Sequence, residues 1–152
     1  MKEIILAALC LFAGGLVTLT WAQKKAAAYK LANIKIVPFE KTTGEFEAEI
    51  DAKDERAFFN EISKTYLVTV EVAGEAGSFE LGRKVEIVVM EGKKIKARKL
   101  EQIDLIGGSG KVYMPLWIDA PLCDATTITA RIIGQKSAST LKRTLTVFHC
   151  GE

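Results

Sequence analysis

Two cysteines and a histidine near the C-terminus, Cys123, His149 and Cys150, are the side chains of this 152-residue chain best suited to redox or metal chemistry. His149 is the only histidine, which excludes multi-histidine metal sites and argues against a histidine-based hydrolase. The cysteines do not form a C-x-x-C redox motif, and a type-1 copper site would need a second histidine. We therefore predict no metal and no cofactor, and a structural disulfide between Cys123 and Cys150.

The last two predicted strands, within residues 126–148, support this pairing. If they form an antiparallel hairpin in which paired residue numbers sum to 273, Ile132 lies opposite Leu141 and Cys123 lies opposite Cys150. A single register then matches apolar side chains and also brings the two sulfurs together. The bond would close a loop of 28 residues, which stabilises a fold by roughly 3–4 kcal/mol in the chain-entropy estimate.

Two pairs of aspartates are close enough in sequence to act together, Asp119 with Asp124 and Asp51 with Asp54. Paired carboxylates bind Ca²⁺ or perform acid–base catalysis. Aspartate is also common in turns, because its side chain bonds to the nearby backbone. We interpret these four residues as turn residues and predict that the protein is not an enzyme.

Lys94, Lys96 and Arg98 belong to the only dense basic cluster, residues 93–99. On a strand these three side chains project from one face, about 7 Å apart. Such a row could contact an anionic surface, or it could protect an edge strand from unwanted pairing. The net charge of the chain is only +2, so the sequence predicts no nucleic-acid partner.

Tyr113, Pro115 and Trp117 form the candidate partner surface. They alternate with apolar residues of the same predicted strand, Val112, Met114, Leu116 and Ile118. If the apolar set faces the core, then the tyrosine, proline and tryptophan face outward together and could bind another protein. A covering loop or a second sheet could instead bury them. Pro115 also indicates an edge strand, because proline cannot donate a ladder hydrogen bond.

A glycine-rich segment at residues 107–111 superficially resembles a phosphate-binding loop. Leu105 stands where that motif needs its first glycine, and Val112 stands where it needs serine or threonine. We interpret the segment as a hairpin turn and predict no small-molecule ligand.

Alternating apolar residues predict eight strands separated by polar turns. The predicted strands are 33–39, 45–50, 66–72, 84–90, 93–100, 111–118, 126–133 and 140–148. Phe58 and Ile62 are four residues apart and Asp54 could cap a helix, which predicts one short helix over 54–63; residues 25–31 could form a second. Without regular helical crossovers, the fold class is all-β, an antiparallel two-sheet sandwich of immunoglobulin-like type. The tryptophan and tyrosine hallmarks of antibody domains are absent.

Residues 4–22 are apolar or small apart from two threonines, and Ala22 ends a segment with small residues at the positions read by signal peptidase. This pattern predicts a signal peptide over 1–22 and an exported domain over 23–152. About 20 apolar residues also suffice to cross a bilayer, so an uncleaved inner-membrane anchor, with the domain outside the cytoplasm, remains an alternative. Leucine before Cys10 argues against lipid attachment there.

These patterns predict an exported, non-catalytic binding or accessory module that acts by protein–protein contact in the periplasm or at the cell surface. Its protein partner is unknown, and association with a membrane would run through residues 4–22. Two alternatives are a membrane-tethered structural subunit of an envelope complex and an enzyme inhibitor that presents the 119–124 loop.

Overall fold

The computed structural model describes residues 28–51, 53–59, 62–135 and 139–150, and every regular element among them is a β-strand. The ten strands are β1 (Lys30–Glu40), β2 (Glu45–Phe46), β3 (Phe58–Phe59), β4 (Lys64–Ala73), β5 (Lys84–Glu91), β6 (Lys94–Gln102), β7 (Lys111–Ile118), β8 (Thr126–Ile133), β9 (Ser139–Leu145) and β10 (Phe148–His149). The all-β prediction is therefore confirmed.

Eight of the strands form two four-stranded antiparallel sheets. The first sheet has the order β2-β1-β4-β7, and the second has the order β6-β5-β8-β9. The short strands β3 and β10 pair separately, in parallel. The apolar strand β5 is central in its sheet and β7, which contains Pro115, lies at an edge, as their sequences predict.

Residues that alternate along both sheets meet in one hydrophobic core. In β4, Val68, Val70 and Val72 are fully buried. In β7, Met114 and Ile118 are also buried and face the same interior. Buried residues of β5 and β8 complete this core from the second sheet. The period-two pattern therefore identified the inward faces of β4 and β7 correctly, and this arrangement is compatible with a β-sandwich.

Two basic side chains close the open sides between the sheets. Lys99 in β6 donates to the carbonyl of Pro115 in β7 at 2.9 Å. On the other side, Arg143 in β9 donates to the carbonyl oxygen of Ile34 in β1 at 2.5 Å and to that of Ile50. Carbonyls near the sheet edges thus have partners within the chain, which discourages addition of a foreign strand.

The helix predicted over 54–63 is wrong for the part of that segment the structure describes. Residues 54–57 have no regular structure and Phe58–Phe59 is strand β3. Phe58 is buried between the rings of Tyr66 and Phe148, whereas Ile62 is exposed. The four-residue spacing of Phe58 and Ile62 thus reflects no shared helix face. The helix considered over 25–31 is also wrong where it is described, because β1 begins at Lys30.

The predicted strand over 45–50 keeps regular structure only at Glu45–Phe46. The chain continues beside β1, but its next hydrogen bonds join Glu47 to Pro38 and Ile50 to Ile36. Between these two hydrogen bonds the segment after β2 advances by three residues, whereas β1 advances by two. This irregularity leaves Phe46 exposed and buries Ile50, although alternation placed them on the same face.

The hairpin of β8 and β9 forms, but its predicted register is wrong by two residues. Ala130, rather than Ile132, lies opposite Leu141, and Thr126 lies opposite Leu145. A two-residue shift keeps every side chain on its own face, so alternation could not distinguish the two registers. The hairpin predicted at 107–111 is also wrong, because β6 and β7 belong to different sheets.

The predicted signal or anchor segment, residues 1–22, lies outside the described residues. Within the described ranges, no helix has the length and apolar character needed to span a bilayer.

Candidate functional site

The outer face of the first sheet carries three aromatic side chains from three strands, Phe39 in β1, Phe46 in β2 and Trp117 in β7. We call these three residues the aromatic surface. The turn at residues 41–44 folds β2 back onto β1, which places Phe46 directly opposite Phe39. Trp117 reaches the same place from the edge strand, because its neighbours Leu116 and Ile118 face the core.

The three rings contact one another pairwise while remaining accessible. The centroids of Phe39 and Phe46 are 5.0 Å apart, and the Trp117 centroid lies 5.9 Å from Phe39 and 6.0 Å from Phe46. These separations are within the range of favourable aromatic pairs. Phe46 is 55% exposed and Trp117 44% exposed. Mutual packing thus orients the rings but does not cover them.

Strand register extends this surface with further apolar side chains. Trp117 lies opposite Leu67 in β4, and Leu67 in turn lies opposite Val37 in β1. Along β7, Pro115 and Tyr113 are exposed on the same face as Trp117. The candidate partner surface predicted from sequence therefore does face outward, and its tryptophan belongs to a larger apolar area.

An ion pair bounds this apolar area toward the start of β7. Lys111 Nζ lies 2.6 Å from Oε1 of Glu71 in β4. The Glu71 carboxylate raises the pKa of Lys111 above its ordinary value by hydrogen bonding and by charge attraction. The outer face of the first sheet therefore changes from aromatic to charged along its length.

A register shift interrupts the predicted basic row in β6. Arg98 and Ala97 pair with β5, but the next pair uses Ile95, so Lys96 is skipped. Lys96 instead lies 2.9 Å from Glu91, while Lys94 is exposed. The regular two-residue spacing of three cations is thus interrupted inside the cluster, and contact with an anion stays a prediction.

Arg98 contributes to a separate charged group on the outer face of the second sheet. The buried carboxylate of Glu86 accepts hydrogen bonds from Arg98 Nε at 3.1 Å and from Arg131 at 2.7 Å. These bonds hold the pKa of Glu86 below its ordinary value, although burial opposes the shift. Arg98 is therefore ion-paired, which leaves it less available to an external anion.

The predicted turn aspartates behave as turn residues wherever the structure gives their hydrogen bonds. Asp51 accepts the N–H of Lys53 at 2.6 Å, and Asp124 accepts the N–H of Ala125 at 2.6 Å. Asp119 is exposed. Within the described ranges, no three acidic, cysteine or histidine side chains form a group that could hold a metal ion.

The predicted disulfide between Cys123 and Cys150 is present, with the two Cα atoms 4.6 Å apart. It does not continue the β8–β9 ladder, because β9 ends at Leu145 and the chain then pairs with β3. Glu91 accepts the N–H groups of Cys123 and Asp124 and so holds the same loop from β5. Burial raises the pKa of Glu91, but these bonds and Lys96 outweigh it and lower the pKa overall.

Sequence reasoning missed two of the three rings of the aromatic surface. Alternation puts Phe39 at the end of the predicted strand 33–39 and groups Phe46 with Ile50, which is in fact buried. A signal was available in residues 41–44, since a four-residue connection that contains glycine between two strands indicates a hairpin, which would have set the phenylalanines opposite one another.

Comparison with known proteins assigns no family to the chain. No protein-family model matches its sequence, and no curated protein matches it.

Proposed function

We propose that the protein is an exported, non-catalytic binding module of immunoglobulin-like type that contacts a protein partner through its aromatic surface, in the periplasm or at the cell surface. The observation that carries the proposal is the group of three rings from Phe39, Phe46 and Trp117, packed on one another yet open to solvent. Tryptophan and other aromatic residues are enriched at the energetic centres of protein interfaces.

The strand order supports the immunoglobulin-like assignment. The order β1-β4-β7 in the first sheet and β5-β8-β9 in the second corresponds to strands A-B-E and C-F-G of immunoglobulin domains. The disulfide differs from that pattern, since it joins the β7–β8 connection to the C-terminal segment instead of linking the B and F strands. The likeness therefore concerns connectivity and not the covalent link.

The disulfide supports the location outside the cytoplasm. Disulfides persist in oxidising compartments and are rare where glutathione and thioredoxin keep thiols reduced. A link between Cys123 and Cys150 is thus compatible with export. The apolar segment at residues 4–22 offers a targeting signal for the same route.

A contact through the sheet face is favoured over strand addition at a sheet edge. Pro115 offers no N–H at the β7 edge, and its carbonyl already accepts a hydrogen bond from Lys99. The face, in contrast, offers the exposed rings of Phe46 and Trp117. The inhibitor alternative has less support, because Leu122 anchors the 119–124 loop in the core.

Site-specific photo-cross-linking in the native cell tests this function. A photoreactive amino acid would replace Trp117 or Phe46, and matched controls would replace Leu100 on the second sheet or Phe59 beside β10, two exposed apolar residues outside the aromatic surface. We expect one protein to be cross-linked from Trp117 and Phe46 but not from Leu100 or Phe59. Equal cross-linking from all four positions, or none from the aromatic surface, would refute the proposal.

The energetic test uses Trp117→Ser with Leu100→Ser as its control. Truncation of a central tryptophan costs about 2 kcal/mol or more, which weakens binding roughly 30-fold. The affinity for the cross-linked partner, measured by titration, should fall by that factor for Trp117→Ser and remain unchanged for Leu100→Ser. Equal affinities for the two variants would show that the tryptophan does not contribute to binding.

A further inference from the structure

Three exposed apolar side chains lie in two connections at one end of the strands. Phe79 and Leu81 are in the connection from β4 to β5, residues 74–83, and Leu105 is in the connection from β6 to β7, residues 103–110. We call these two connections the loop pair. Leu81 is 84% exposed, and Phe79 and Leu105 are each more than half exposed. None of the three belongs to the aromatic surface.

Backbone hydrogen bonds join the two connections. The N–H of Gly77 donates to the carbonyl of Ile106 at 2.8 Å, and the N–H of Ile106 donates to Ser78 at 3.0 Å. Next to Leu81, the side chain of Gln102 donates to the carbonyl of Glu80 at 2.9 Å. The exposed side chains are therefore presented by one hydrogen-bonded unit, not by two independent loops.

The first strand begins at this same end. Lys30 pairs with Ala73, the last residue of β4, and Ala73 pairs with Lys111, the first residue of β7. Tyr29 is buried, and its ring and the Ile106 side chain both lie close to Gly74, at the base of the loop pair. The chain therefore enters the domain directly beside the exposed apolar side chains.

Few residues separate the apolar segment from this entry point along the sequence. Six residue steps separate Ala22 from Ala28, and a fully extended chain covers at most about 21 Å in six steps. A bilayer that held residues 4–22 would thus lie within that reach of residue 28, at the loop-pair end.

The distribution of charge distinguishes the two ends of the strands. Among the described residues at the loop-pair end, within 28–30, 74–84, 103–111 and 134–135, four lysines and arginines occur against three acidic residues. Among the described residues of the connections at the other end, within 41–51, 53–59, 62–63, 92–93, 119–125 and 146–150, eight acidic residues occur against four lysines and arginines. Charge is thus nearly balanced at the first end and negative at the second, so anionic lipid headgroups repel the second end more strongly than the first.

We infer that the loop pair is a membrane-contacting surface, with Phe79, Leu81 and Leu105 inserted at the interface of an anionic lipid bilayer. Apolar side chains of interfacial segments reach about 5–10 Å into the boundary between headgroups and acyl chains. The acidic end then points away from the membrane, and the aromatic surface lies on the side of the domain. This contact uses a surface separate from the proposed protein-binding face, so either proposal can fail without the other.

An environment-sensitive fluorophore on an introduced cysteine tests the contact. The full chain with Cys10→Ser would carry Leu81→Cys, and the matched control would carry Ile62→Cys, an apolar residue of similar exposure (80%) at the acidic end. Each purified, labelled protein would be incorporated into or mixed with vesicles of phosphatidylcholine and phosphatidylglycerol. A mass measurement would verify that the Cys123–Cys150 bond is intact.

We expect the probe at position 81 to shift its emission to shorter wavelength, to be quenched by spin-labelled lipid, and to be protected from aqueous iodide. The probe at position 62 should show none of these changes. Should the Leu81→Cys variant fail to fold, Leu105→Cys provides the same readout. Equal iodide access at both ends would overturn the inference. Protection of position 81 only in native membranes that retain their proteins would also overturn it, and would assign this end to a protein partner.

Discussion

Asp54 shows how a residue predicted as a helix cap instead stabilises an irregular connection. Its carboxylate accepts hydrogen bonds from Arg56 Nε at 2.8 Å and from the Arg56 backbone N–H at 2.9 Å. Arg56 also donates to the carbonyls of Ala48 and Glu49, each at 3.3 Å. These contacts tie the connection between β2 and β3 to itself, which a capped helix would not require.

The pKa of Asp54 predicts a pH dependence of stability. Hydrogen bonding from Arg56 lowers this pKa from 3.8 to about 2. Because the folded-state pKa is lowered, the stabilisation is present above the ordinary pKa and is lost as pH falls from 3.8 through about 2. Asp54→Asn should lower the free energy of unfolding at neutral pH by about 1 kcal/mol, and the difference from wild type should shrink over that acid range.

Urea unfolding at a series of pH values measures this difference. Asp104→Asn, at an exposed aspartate in the loop pair, serves as the control and should leave the free energy of unfolding nearly unchanged. A difference between Asp54→Asn and wild type that stays constant down to strongly acid pH would contradict the prediction.

At the scale of the elements, Arg143 joins β9 to the first sheet through several hydrogen bonds. It donates to the carbonyls of Ile34 and Ile50 and lies 3.0 Å from Glu49. Arg143→Met would keep much of the side-chain bulk but leave two carbonyls without this donor. We expect the free energy of unfolding to fall by about 2–3 kcal/mol, because bonds to charged donors are strong and unpaired buried acceptors are costly.

Lys142→Met is the matched control for Arg143→Met. Lys142 is the preceding residue of β9 and is exposed, so its replacement should change stability by no more than about 0.5 kcal/mol. Denaturant unfolding followed by tryptophan fluorescence compares the two variants. Equal losses of stability would show that strand β9 tolerates any methionine poorly and that the carbonyl contacts of Arg143 have no special role.

At the scale of the whole molecule, the disulfide fastens the C-terminal segment to the β7–β8 connection. Replacing Cys123 and Cys150 with alanine should lower the free energy of unfolding by roughly 3 kcal/mol, because the unfolded chain gains freedom in a loop of this size. The fold should persist, because the buried side chain of Phe148 also holds the C-terminal segment in the core. The comparison is made by thermal unfolding, with and without reductant.

Reduced wild-type protein and the double variant should unfold at similar temperatures. A melting temperature that does not respond to reductant would contradict the expected contribution of the bond. Thiol titration provides a separate check on protein that is purified from its native source and then unfolded. Cys123 and Cys150 should not react until they are reduced.

Alternation in the sequence determined much of this architecture. The bounds of 111–118 and 126–133 match β7 and β8, and the edge position of β7 was predictable from Pro115 because proline lacks the N–H that a central strand needs. The cysteine pairing was also predicted correctly, although the register used to support it was wrong by two residues. Side-chain pattern specifies the face of a strand but not its offset along a neighbour.

Only the tertiary structure decided which strands became neighbours and which side chains met. The aromatic surface depends on β2 folding onto β1 and on β7 lying two strands away in the same sheet, so that residues 39, 46 and 117 converge. The local sequence determines whether a side chain faces water or the core, because that choice depends on one strand's own period. Long-range convergence depends on the packing of the whole chain, so no local pattern encodes it.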